Sequence, residues 1–523
     1  MTQEQIIRTY VPVDCKPEVH GNIVAYEIKA DELAVICHEL HVVQGFPIKT
    51  VTAADERKSG KGFTIFYVFG LPKENVFLVP YIVLKDTEEF PSLTPIIHEV
   101  SGYERRIKTF FGLNPAGHPN PQSLLLHENW PANVFPLRKD FDWQERPEKA
   151  HTPYEFYRVH GEGIYEIPVG PIHAGIIEPG HFRFSVAGEE IILLEPRLGY
   201  KHKGIEKLFE TFSLENAVKL AERVSGDTSF THSLAFCQAT ESLSGIVVPE
   251  RAAYVRVIFS ELERLANHFG DIGFIMQDTG YSFGGSNGAR LRETIMRWNE
   301  KLTGSRFLRG VNVVGGVARD IPSVLARELL EDLRSIDKDF NEVIEISEDT
   351  ISLINRLEDT GRMSSQVTQD YGVIGVAGRA VGIRQDSRID YPYAAYEKLP
   401  FDISLEEEGD VYARFHVRVK EVNSSMKILE QALSAMPAST ELRSLAPVAL
   451  KKNALGIGIA EAWRGEVVYF VVTDAQGNIA RVDVRDPSFL NWPAVGEVGK
   501  GNVVPDFPLI NKSFNLSYSG NDL

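Results

Sequence analysis

The sequence predicts an α+β fold, with a small α+β domain followed by a larger, mainly helical domain. With 523 residues, 43% hydrophobic and 24% charged, the chain can build more than one core. Apolar, β-rich runs lie near both ends, and helical periodicity dominates the middle. We therefore expect the small domain at residues 1–140 and a linker at 141–168. The mainly α-helical domain should occupy 169–523, as a long helix bundle with peripheral β segments.

Two β-rich runs give the strongest signal in the first domain. The runs "GFTIFYVFGL" and "VFLVPYIVLK" flank the polar residues 72–75, which is typical of a hairpin or of adjacent strands. The preceding run "DELAVICHELHVV" has helical spacing. Beyond residue 140 the chain becomes charged and proline-bearing, as in "DWQERPEKAHTPYEFYRVHGEG", which favours a linker.

The second domain begins and ends with β character around a series of long helices. The run "GHFRFSVAGEEIILLEPRLGYKH" predicts a strand, a turn and a strand, and "EVVYFVVTDAQGNIARVDV" predicts strands near the end. Pro249 and Pro322 stand where prolines of a first helical turn would. The apolar periodicity between the β segments predicts helices at Leu214–Leu243, Pro249–Phe274, Ala289–Leu302, Ile321–Leu357 and Leu405–Met436.

Charge, hydropathy and cysteine content exclude several classes of protein. A net charge of −17 argues against a general nucleic-acid binder, because phosphate contacts need clustered Lys and Arg. No apolar run is long enough to span a bilayer, and the start lacks signal-peptide order, so we expect a cytoplasmic chain with no direct membrane span. Cys15, Cys37 and Cys237 are scattered, so the chain alone cannot supply the four thiolates of an iron–sulfur cluster.

Several motifs resemble two families of respiratory subunits. Residues 103–141, "YERRIKTFFGLNPAGHPNPQSLLLHENWPANVFPLRKDF", resemble the signature of the small peripheral subunit of respiratory complex I. The runs "EPRLGYKHKGIEKL", "TGSRFLRGVNVVGGV" and "GVAGRAVGIRQDSRIDYPYAAY" resemble the large-subunit family. That family unites the quinone-pocket subunit of complex I with the large subunit of energy-converting nickel–iron hydrogenases. The order of the motifs resembles a fused subunit of the hydrogenase-4 and formate hydrogenlyase type.

The same resemblance places four residues at the nickel-ligand positions of the hydrogenase branch. In "ERVSGDTSFTHS" and "KSFNLSYSGNDL", Ser225, Thr228, Ser517 and Gly520 stand where that branch has cysteines. Hydroxyls are hard, protonated ligands and glycine offers none, whereas nickel in such sites is held by thiolates. The resemblance thus implies no nickel–iron site and no hydrogenase activity of the chain by itself. Locally, Ser225 and Thr228 are predicted to be helix-capping residues.

The resemblance also implies a cavity whose wall carries the candidate functional residues His173, Asp227 and Arg464. In the complex I branch a quinone headgroup contacts a histidine, here His173 or His181, and a tyrosine whose position falls near the glycine before Asp227. The run "AEAWRGEV" resembles Glu-Ala-Pro-Arg-Gly of hydrogenases and brings Arg464 to the cavity, with Trp463 in place of proline.

Two interpretations of this cavity remain open. Asp227 and His232 on one wall and Arg464 on the other either handle an acceptor and its protons or form an ion-paired plug in a filled site.

Two further runs favour ordinary structural roles. Glu261, Arg264 and His268 share one helix face, which predicts ion pairing on a helix surface. The glycine-rich "SFGGSNGAR" and the run "NVVGGVARD" lack a nucleotide-binding fingerprint.

By resemblance, we expect a peripheral-arm subunit of a membrane-bound complex of the NADH:quinone oxidoreductase or hydrogenase-4 type. The chain would hold no cofactor itself and would pack against a small subunit that carries a [4Fe-4S] cluster. Its other partners would be a ferredoxin-like subunit and membrane antiporter-like and anchor subunits, which would hold it on the cytoplasmic face of the inner membrane. It would couple electron transfer to ion translocation, with quinone as one candidate acceptor. The alternative is a non-catalytic structural and coupling subunit whose ancestral site is filled.

Overall fold

The computed structural model describes residues 1–174 and 177–523. Its N-terminal part is a five-stranded sheet in the order β1-β2-β5-β4-β3, where β2 and β5 are parallel and the other neighbours antiparallel. The strands of this sheet are β1 (Glu18–His20), β2 (Ile23–Glu27), β3 (Ile48–Asp55), β4 (Phe63–Leu71) and β5 (Val76–Leu84). Three helices and a short parallel pair accompany it: α1 (Gln3–Tyr10), α2 (Leu33–His38), α3 (Ser101–Phe111), β6 (Glu89–Pro91) and β7 (Asn114–Ala116).

The predicted hairpin is confirmed by β4 and β5. They pair antiparallel across the turn at residues 72–75, where Lys73 and Asn75 adopt positive φ angles of 69° and 49°. Asparagine tolerates this left-handed conformation better than most residues, so the sequence of the turn fits its geometry.

A second antiparallel sheet, in the order β10-β9-β8, follows the charged segment. It consists of β8 (Ile164–Val169), β9 (His181–Ala187) and β10 (Glu190–Arg197), so the predicted strand, turn and strand are confirmed by β9 and β10. The end of the segment predicted as a linker forms β8, because its residues pair with β9.

The middle of the chain is helical, as its periodicity predicted. The helices are α4 (Ile205–Phe209), α5 (Leu214–Ala221), α6 (Ser229–Ser244), α7 (Glu250–Asp278), α8 (Ser282–Thr303), α9 (Ser323–Glu348), α10 (Ile351–Leu357), α11 (Ser365–Asp370), α12 (Gly375–Arg379), α13 (Ser387–Asp390) and α14 (Val411–Ala435). A two-residue pair, β11 (Asn312–Val313) and β12 (Gly316–Val317), lies between α8 and α9. None of the helices in the described residues combines the length and apolarity that a bilayer crossing needs.

Two of the predicted helices are interrupted. The predicted helix 214–243 is two helices, α5 and α6, separated by the turn at 222–228, and 321–357 is α9 and α10. Pro249 and Pro322 are the N-cap residues of α7 and α9, one position before the first turn. The apolar pattern continues across the breaks because the helices on both sides of each break bury apolar residues.

Helix α7 is the centre of the bundle and packs closely against α8. A Cβ atom on Gly288 would lie 2.6 Å from the Cα of Gly273, so both helices need glycine where they meet. The glycine-rich run at the start of α8 therefore serves helix packing.

The C-terminal part is a three-stranded antiparallel sheet with three helices. These elements are β13 (Leu455–Ala462), β14 (Gly465–Thr473), β15 (Ile479–Arg485), α15 (Pro487–Val498), α16 (Phe507–Phe514) and α17 (Tyr518–Asp522). Apolar side chains of this sheet pack face to face on the N-terminal sheet, with the rings of Phe66 and Phe470 5.3 Å apart. The α+β fold class predicted from the sequence is thus confirmed, and the first and last thirds of the chain share a core.

Candidate functional site

Two pairs of residues from distant parts of the sequence, Ser225 with Thr228 and Ser517 with Gly520, meet at the turn between α5 and α6. The hydroxyls of Ser225 and Ser517 are joined by a hydrogen bond of 2.8 Å across 292 residues. The backbone N–H of Gly520 donates to Ser517 Oγ at 2.9 Å. Thr228 joins through Asp227, because its hydroxyl and that of Ser225 donate to Asp227 Oδ1 at 3.0 and 2.9 Å. We call these five residues the Ser225 cluster.

The helix-capping prediction for Ser225 and Thr228 is wrong. Thr228 occupies the N-cap position of α6, but its side chain makes no capping hydrogen bond. Both hydroxyls instead orient the carboxylate of Asp227. Ser517, in contrast, caps α17 by accepting from Gly520.

Asp227 forms a two-pronged ion pair with Arg464, the second residue of the two-residue turn between β13 and β14. The guanidinium donates to Oδ1 and Oδ2 at 2.8 and 2.7 Å. Burial by itself raises the pKa of Asp227, but the charge and hydrogen bonds of Arg464 outweigh it and hold this pKa below its usual range. Asp227 is therefore a carboxylate at neutral pH, and Arg464 is its counter-ion.

Trp463 forms the wall behind this ion pair. The guanidinium carbon of Arg464 lies 3.8 Å from the centre of its ring, and the indole N–H donates to Thr228 Oγ1 at 3.1 Å. The buried ring meets His268 edge to face, with centroids 6.3 Å apart. Trp463 thus separates the ion pair from the interior of the bundle.

On its other side the ion pair faces a cavity of about 290 Å³, called here the ion-pair cavity. Its walls come from the α5–α6 turn, α7, α8, α16 and α17, and include Asp227, Asn267, Arg292, Arg464, Lys512 and Tyr518. The volume lies near the lower end of the range for small-molecule sites.

The structure brings together two of the three candidate residues. Asp227 and Arg464 line the ion-pair cavity, whereas His173 does not belong to its described lining. The Nε2 atom of His173 lies 2.7 Å from the carbonyl oxygen of Gly180, in the connection between β8 and β9. His181 likewise turns to the backbone, with Nδ1 3.3 Å from the carbonyl oxygen of Gly170.

His232, the other residue expected at the cavity, lies deeper. Its Nε2 is 3.0 Å from Asp486 Oδ2, and its Nδ1 is 3.1 Å from the hydroxyl of Tyr469. Asp486 also accepts from the backbone N–H of Ser488 and so caps α15. A Cβ atom on Gly520 would lie only 2.5 Å from Asp486 Oδ2, so this fixed carboxylate occupies the space of a side chain at 520.

The residues present do not fit a thiolate-held nickel ion. The groups that converge are three hydroxyls and a glycine, and the hydroxyls already bond to each other and to Asp227. Cys37 and Cys237 are buried elsewhere and Cys15 is half-buried near the N-terminus. Soft thiolate ligands are what such a nickel site requires.

The prediction that Glu261, Arg264 and His268 form a surface ion network is wrong, because all three are fully buried on α7. Arg388 donates to Glu261 at 3.0 Å, and His268 Nε2 lies 2.8 Å from Glu421 on α14. Helical spacing could not reveal this, since the compensating charges come from distant segments. The buried network consists of Glu261, Arg264, His268, Arg379, Asp386, Arg388, Glu421 and Glu461.

Sequence reasoning also missed Glu263, which lies on α7 behind Asp227. It accepts hydrogen bonds from the N–H groups of Phe230 and Thr231 at 2.7 and 3.1 Å, at the start of α6. Burial raises its pKa to about 7, against the lowering effect of these hydrogen bonds. Asn267 links the two carboxylate residues by donating to the carbonyl oxygens of Asp227 and Glu263 at 2.9 and 2.8 Å. No local pattern marks Glu263, because only the tertiary contact with α6 sets it apart.

Comparison with known proteins identifies the family. Residues 26–147 match the family described as "Respiratory-chain NADH dehydrogenase, 30 Kd subunit", and residues 278–454 and 452–522 match "Respiratory-chain NADH dehydrogenase, 49 Kd subunit". Formate hydrogenlyase subunit 5 of Escherichia coli is 33% identical over 506 residues, which cover 95% of this chain and 88% of that protein. The chain belongs to the fused complex I-type 30 kDa/49 kDa subunit family.

Two further relatives of this fused complex I-type chain extend the comparison. Hydrogenase-4 component G of Escherichia coli is 35% identical over 475 residues, covering 90% of this chain and 82% of that protein. A chain in the structure of the membrane-bound sulfane sulfur reductase, an archaeal respiratory membrane complex, matches with a TM-score of 0.65 and 26% identity. That match covers 70% of this chain and all of the other one.

Only some of the site residues lie within the segments that match the two families. Arg464, Ser517 and Gly520 lie in the matched segment 452–522, whereas Ser225 and Asp227 lie between the two family matches.

Proposed function

We propose that this chain is a peripheral-arm subunit of a membrane-bound respiratory complex of the complex I or hydrogenase-4 type. It receives electrons from a [4Fe-4S] cluster in a small partner subunit and couples their transfer to ion translocation. Formate hydrogenlyase subunit 5 and hydrogenase-4 component G, each more than 80% covered by the alignment, support this proposal. So does the similarity to a chain of an archaeal respiratory membrane complex.

The observation that carries a redox-active role is the open side of the Asp227–Arg464 pair. A plug would fill the space on both sides of the pair, whereas here one side faces a cavity of about 290 Å³. Trp463, which replaces a smaller residue of the hydrogenase pattern, packs behind the pair and outside the described cavity lining. A fixed charge pair beside a half-open cavity with polar walls can orient a small acceptor and stabilise charge that develops on it.

The proposed role does not use nickel. The hydroxyls of the Ser225 cluster and the occupied space at Gly520 support the hypothesis that the nickel site of hydrogenases is lost in this chain. Proton supply would then fall to groups of the chain itself. Glu263, whose pKa of about 7 allows it to hold or release a proton near neutral pH, lies one residue layer behind Asp227 and is the candidate for this task.

The partners follow from the same proposal. The small iron–sulfur subunit would carry the electron donor cluster, and a ferredoxin-like subunit would feed it. Membrane antiporter-like and anchor subunits would hold the chain peripherally on the cytoplasmic face of the membrane and move ions, with quinone as one candidate acceptor.

The alternative proposal is a structural and coupling subunit with a filled site. The mutual pairing of Asp227 and Arg464, which leaves neither charge free, favours it. Under this alternative the site transmits force between partners and no acceptor enters the cavity.

Membership of the complex is tested by affinity purification from the native host in mild detergent, with the tag on this chain. We expect an iron–sulfur subunit and membrane subunits to co-purify, with iron content and the visible absorption of [4Fe-4S] clusters. If the chain elutes alone and colourless from solubilised membranes, the proposal fails.

The two roles of the cavity are separated by Arg464→Lys, which keeps the charge but loses the two-pronged geometry. The assay is oxidation of reduced methyl viologen by the purified complex, with the tail-free quinone menadione as acceptor and the rate without the complex subtracted. Under the redox-active role this variant assembles normally and turns over at least tenfold more slowly. The matched control is Arg290→Lys, at an exposed residue of α8 that pairs with Asp339 on α9. Equal rates in both variants would favour the structural role.

A further inference from the structure

The ion-pair cavity is lined by three carboxylates and three cations, but the ion pairs within the chain do not use all of these cations. Its three carboxylates each have a cationic partner: Asp227 has Arg464 at 2.7 Å, Asp271 has Arg418 at 2.9 Å, and Glu178 has Lys201 at 3.6 Å. Two lining cations remain, Arg292 and Lys512. Within residues 1–174 and 177–523 neither has a carboxylate within 4.0 Å, so neither makes a direct ion pair. Lys512 acts at longer range on Asp278 at the end of α7, where its charge opposes the rise in pKa caused by burial.

Arg292 is held in place although it has no partner. On α8 its stem packs on α7, where a Cβ atom at Gly270 would lie 3.0 Å from its Cδ atom. Its Nε is buried and, in the described part of the chain, makes no hydrogen bond. A buried guanidinium nitrogen without an acceptor is costly, and such groups are normally bonded to protein, water or ligand. Arg292 thus has a buried N–H donor, close to the backbone of Gly270, that finds no acceptor among the described residues.

Lys512 approaches the same space from α16. Its ammonium lies 5.2 Å from the ring centre of Phe274, which with Arg292 also lines the cavity. Contact with an aromatic ring offsets part of the desolvation cost of a cation but leaves its hydrogen-bonding capacity free. Arg292 and Lys512 thus belong to two different helices on the wall of one space.

A second cavity gives access to the ion-pair cavity from the side of α7 and α8. A neighbouring cavity of about 310 Å³ shares Gly270, Phe274 and Arg292 with the ion-pair cavity, so the two adjoin at Arg292. Arg292 therefore lines both cavities where they adjoin. Cations on a concave wall that make no direct ion pair attract ions of the opposite sign.

We propose that the ion-pair cavity binds a small soluble anion, held between Arg292 and Lys512 beside the neutralised Asp227–Arg464 pair. Two positive charges that make no direct ion pair favour a ligand with two negative charges. The cavity volume of about 290 Å³ corresponds to roughly ten molecules of liquid water, so the ligand must be of about that size or smaller. The inference deepens the proposed function by giving the charge class of the compound that the cavity takes. The inference depends on the proposed function only where it treats the anion as the electron acceptor, because binding by itself needs no electron transfer.

The test uses tungstate, a tetrahedral dianion that elemental analysis detects directly. The full-length protein, alone and in its complex, is dialysed to equilibrium against tungstate at constant ionic strength set with sodium chloride. We expect saturable binding of one tungstate per chain. Arg292→Gln and Lys512→Gln should each weaken it at least tenfold, and the double variant should abolish it. Arg292→Lys, which keeps the charge, should bind tungstate with an affinity within several-fold of that of the unmodified protein. Such a result would show that the weaker binding of Arg292→Gln is not caused by a folding defect at this position.

The matched control is the double variant Arg290→Gln/Lys500→Gln, which removes the same charge from exposed positions paired with Asp339 and Glu497. It should bind tungstate as the unmodified protein does. The inference is overturned if binding does not saturate, or if the control pair lowers it as much as the Arg292 and Lys512 variants do. An inactive complex that still binds one tungstate through these residues would refute the proposed function alone. Normal electron transfer without saturable binding would refute the anion site alone.

Discussion

Replacing Arg464 by methionine tests whether the Ser225 cluster is held together by its ion pair. Methionine keeps an unbranched side chain against Trp463 but removes the guanidinium that donates to Asp227 and to the carbonyl oxygen of Asn515. Asp227 then loses its counter-ion while the hydroxyls of Ser225 and Thr228 remain. The carboxylate is left charged in an enclosed site.

The size of the effect follows from the exposure of the two partners. Breaking a fully buried pair by removing one partner costs about 3–5 kcal/mol, and an exposed pair contributes about 0–1 kcal/mol. The side chain of Arg464 is 5% exposed, but that of Asp227 is 33% exposed towards the cavity. Because solvent screens Asp227 in part, we expect a loss of about 2–3 kcal/mol.

Hydrogen–deuterium exchange measures this loss locally, since a chain of this size need not unfold in two states. Peptides covering residues 222–233 and 515–523 should exchange about 30- to 150-fold faster, because each 1.4 kcal/mol is a factor of ten. In the unmodified chain the lowered pKa of Asp227 stabilises the fold above the pKa of an unfolded aspartate, and this is lost as pH falls through the folded pKa. In the variant, uncompensated burial raises that pKa instead. The difference between the two proteins should therefore shrink from pH 7 towards pH 4.

The double variant Asp227→Asn/Arg464→Met should recover most of the protection, because no uncompensated charge remains. Arg334→Gln, which removes an exposed partner of Glu430, serves as control and should change nothing. Unchanged exchange in both peptides, or equally fast exchange along the whole chain, would refute a local role of the ion pair.

Three further predictions concern other parts of the site and fold. Gly520→Cys should lower the stability by about 1–3 kcal/mol, because its Cβ would lie 2.5 Å from Asp486 Oδ2, and thermal unfolding measures the loss. Glu263→Gln should flatten the pH dependence of stability between about pH 4.5 and 7. Because the pKa of Glu263 in the folded chain is raised to about 7, its contribution to stability is complete below the pKa of an unfolded glutamate and is lost as the pH rises through 7. Denaturant titrations at a series of pH values detect this loss. Lys49→Met should cost about 3 kcal/mol in denaturant unfolding, because it leaves the buried Glu466, 2.8 Å away, without one of its cations where the two sheets meet.

Each of these variants has a control. Gly226→Ala places a Cβ atom no closer than 3.9 Å to another residue and should be tolerated, and Lys301→Met removes an exposed lysine and should cost less than about 1 kcal/mol. The packing described here is contradicted if Gly520→Cys is as stable as Gly226→Ala. It is also contradicted if Lys49→Met is as stable as Lys301→Met. A pH profile of Glu263→Gln that parallels that of the unmodified protein would show that Glu263 does not titrate in this range.

The sequence alone determined the fold class, the β4–β5 hairpin and the family resemblance, because these depend on local periodicity and contiguous motifs. It also pointed to Asp227 and Arg464, since each belongs to a short run that resembles a family motif, and the structure joins them at 2.7 Å.

Only the tertiary structure decided what surrounds that pair. Helical spacing predicted a surface for Glu261 and its neighbours, but Arg388 and Glu421 arrive from distant segments and allow their charges to be buried. The environment of Glu263 is also decided by the tertiary structure, because its hydrogen-bond donors are at the start of α6. That Arg292 makes no ion pair can be seen only once the carboxylates around the cavity have been placed. Periodicity encodes which side of a helix is apolar. The protonation and pairing of a buried charge depend on groups that meet it only in three dimensions, because solvation and Coulomb energies follow distance in space and not along the chain.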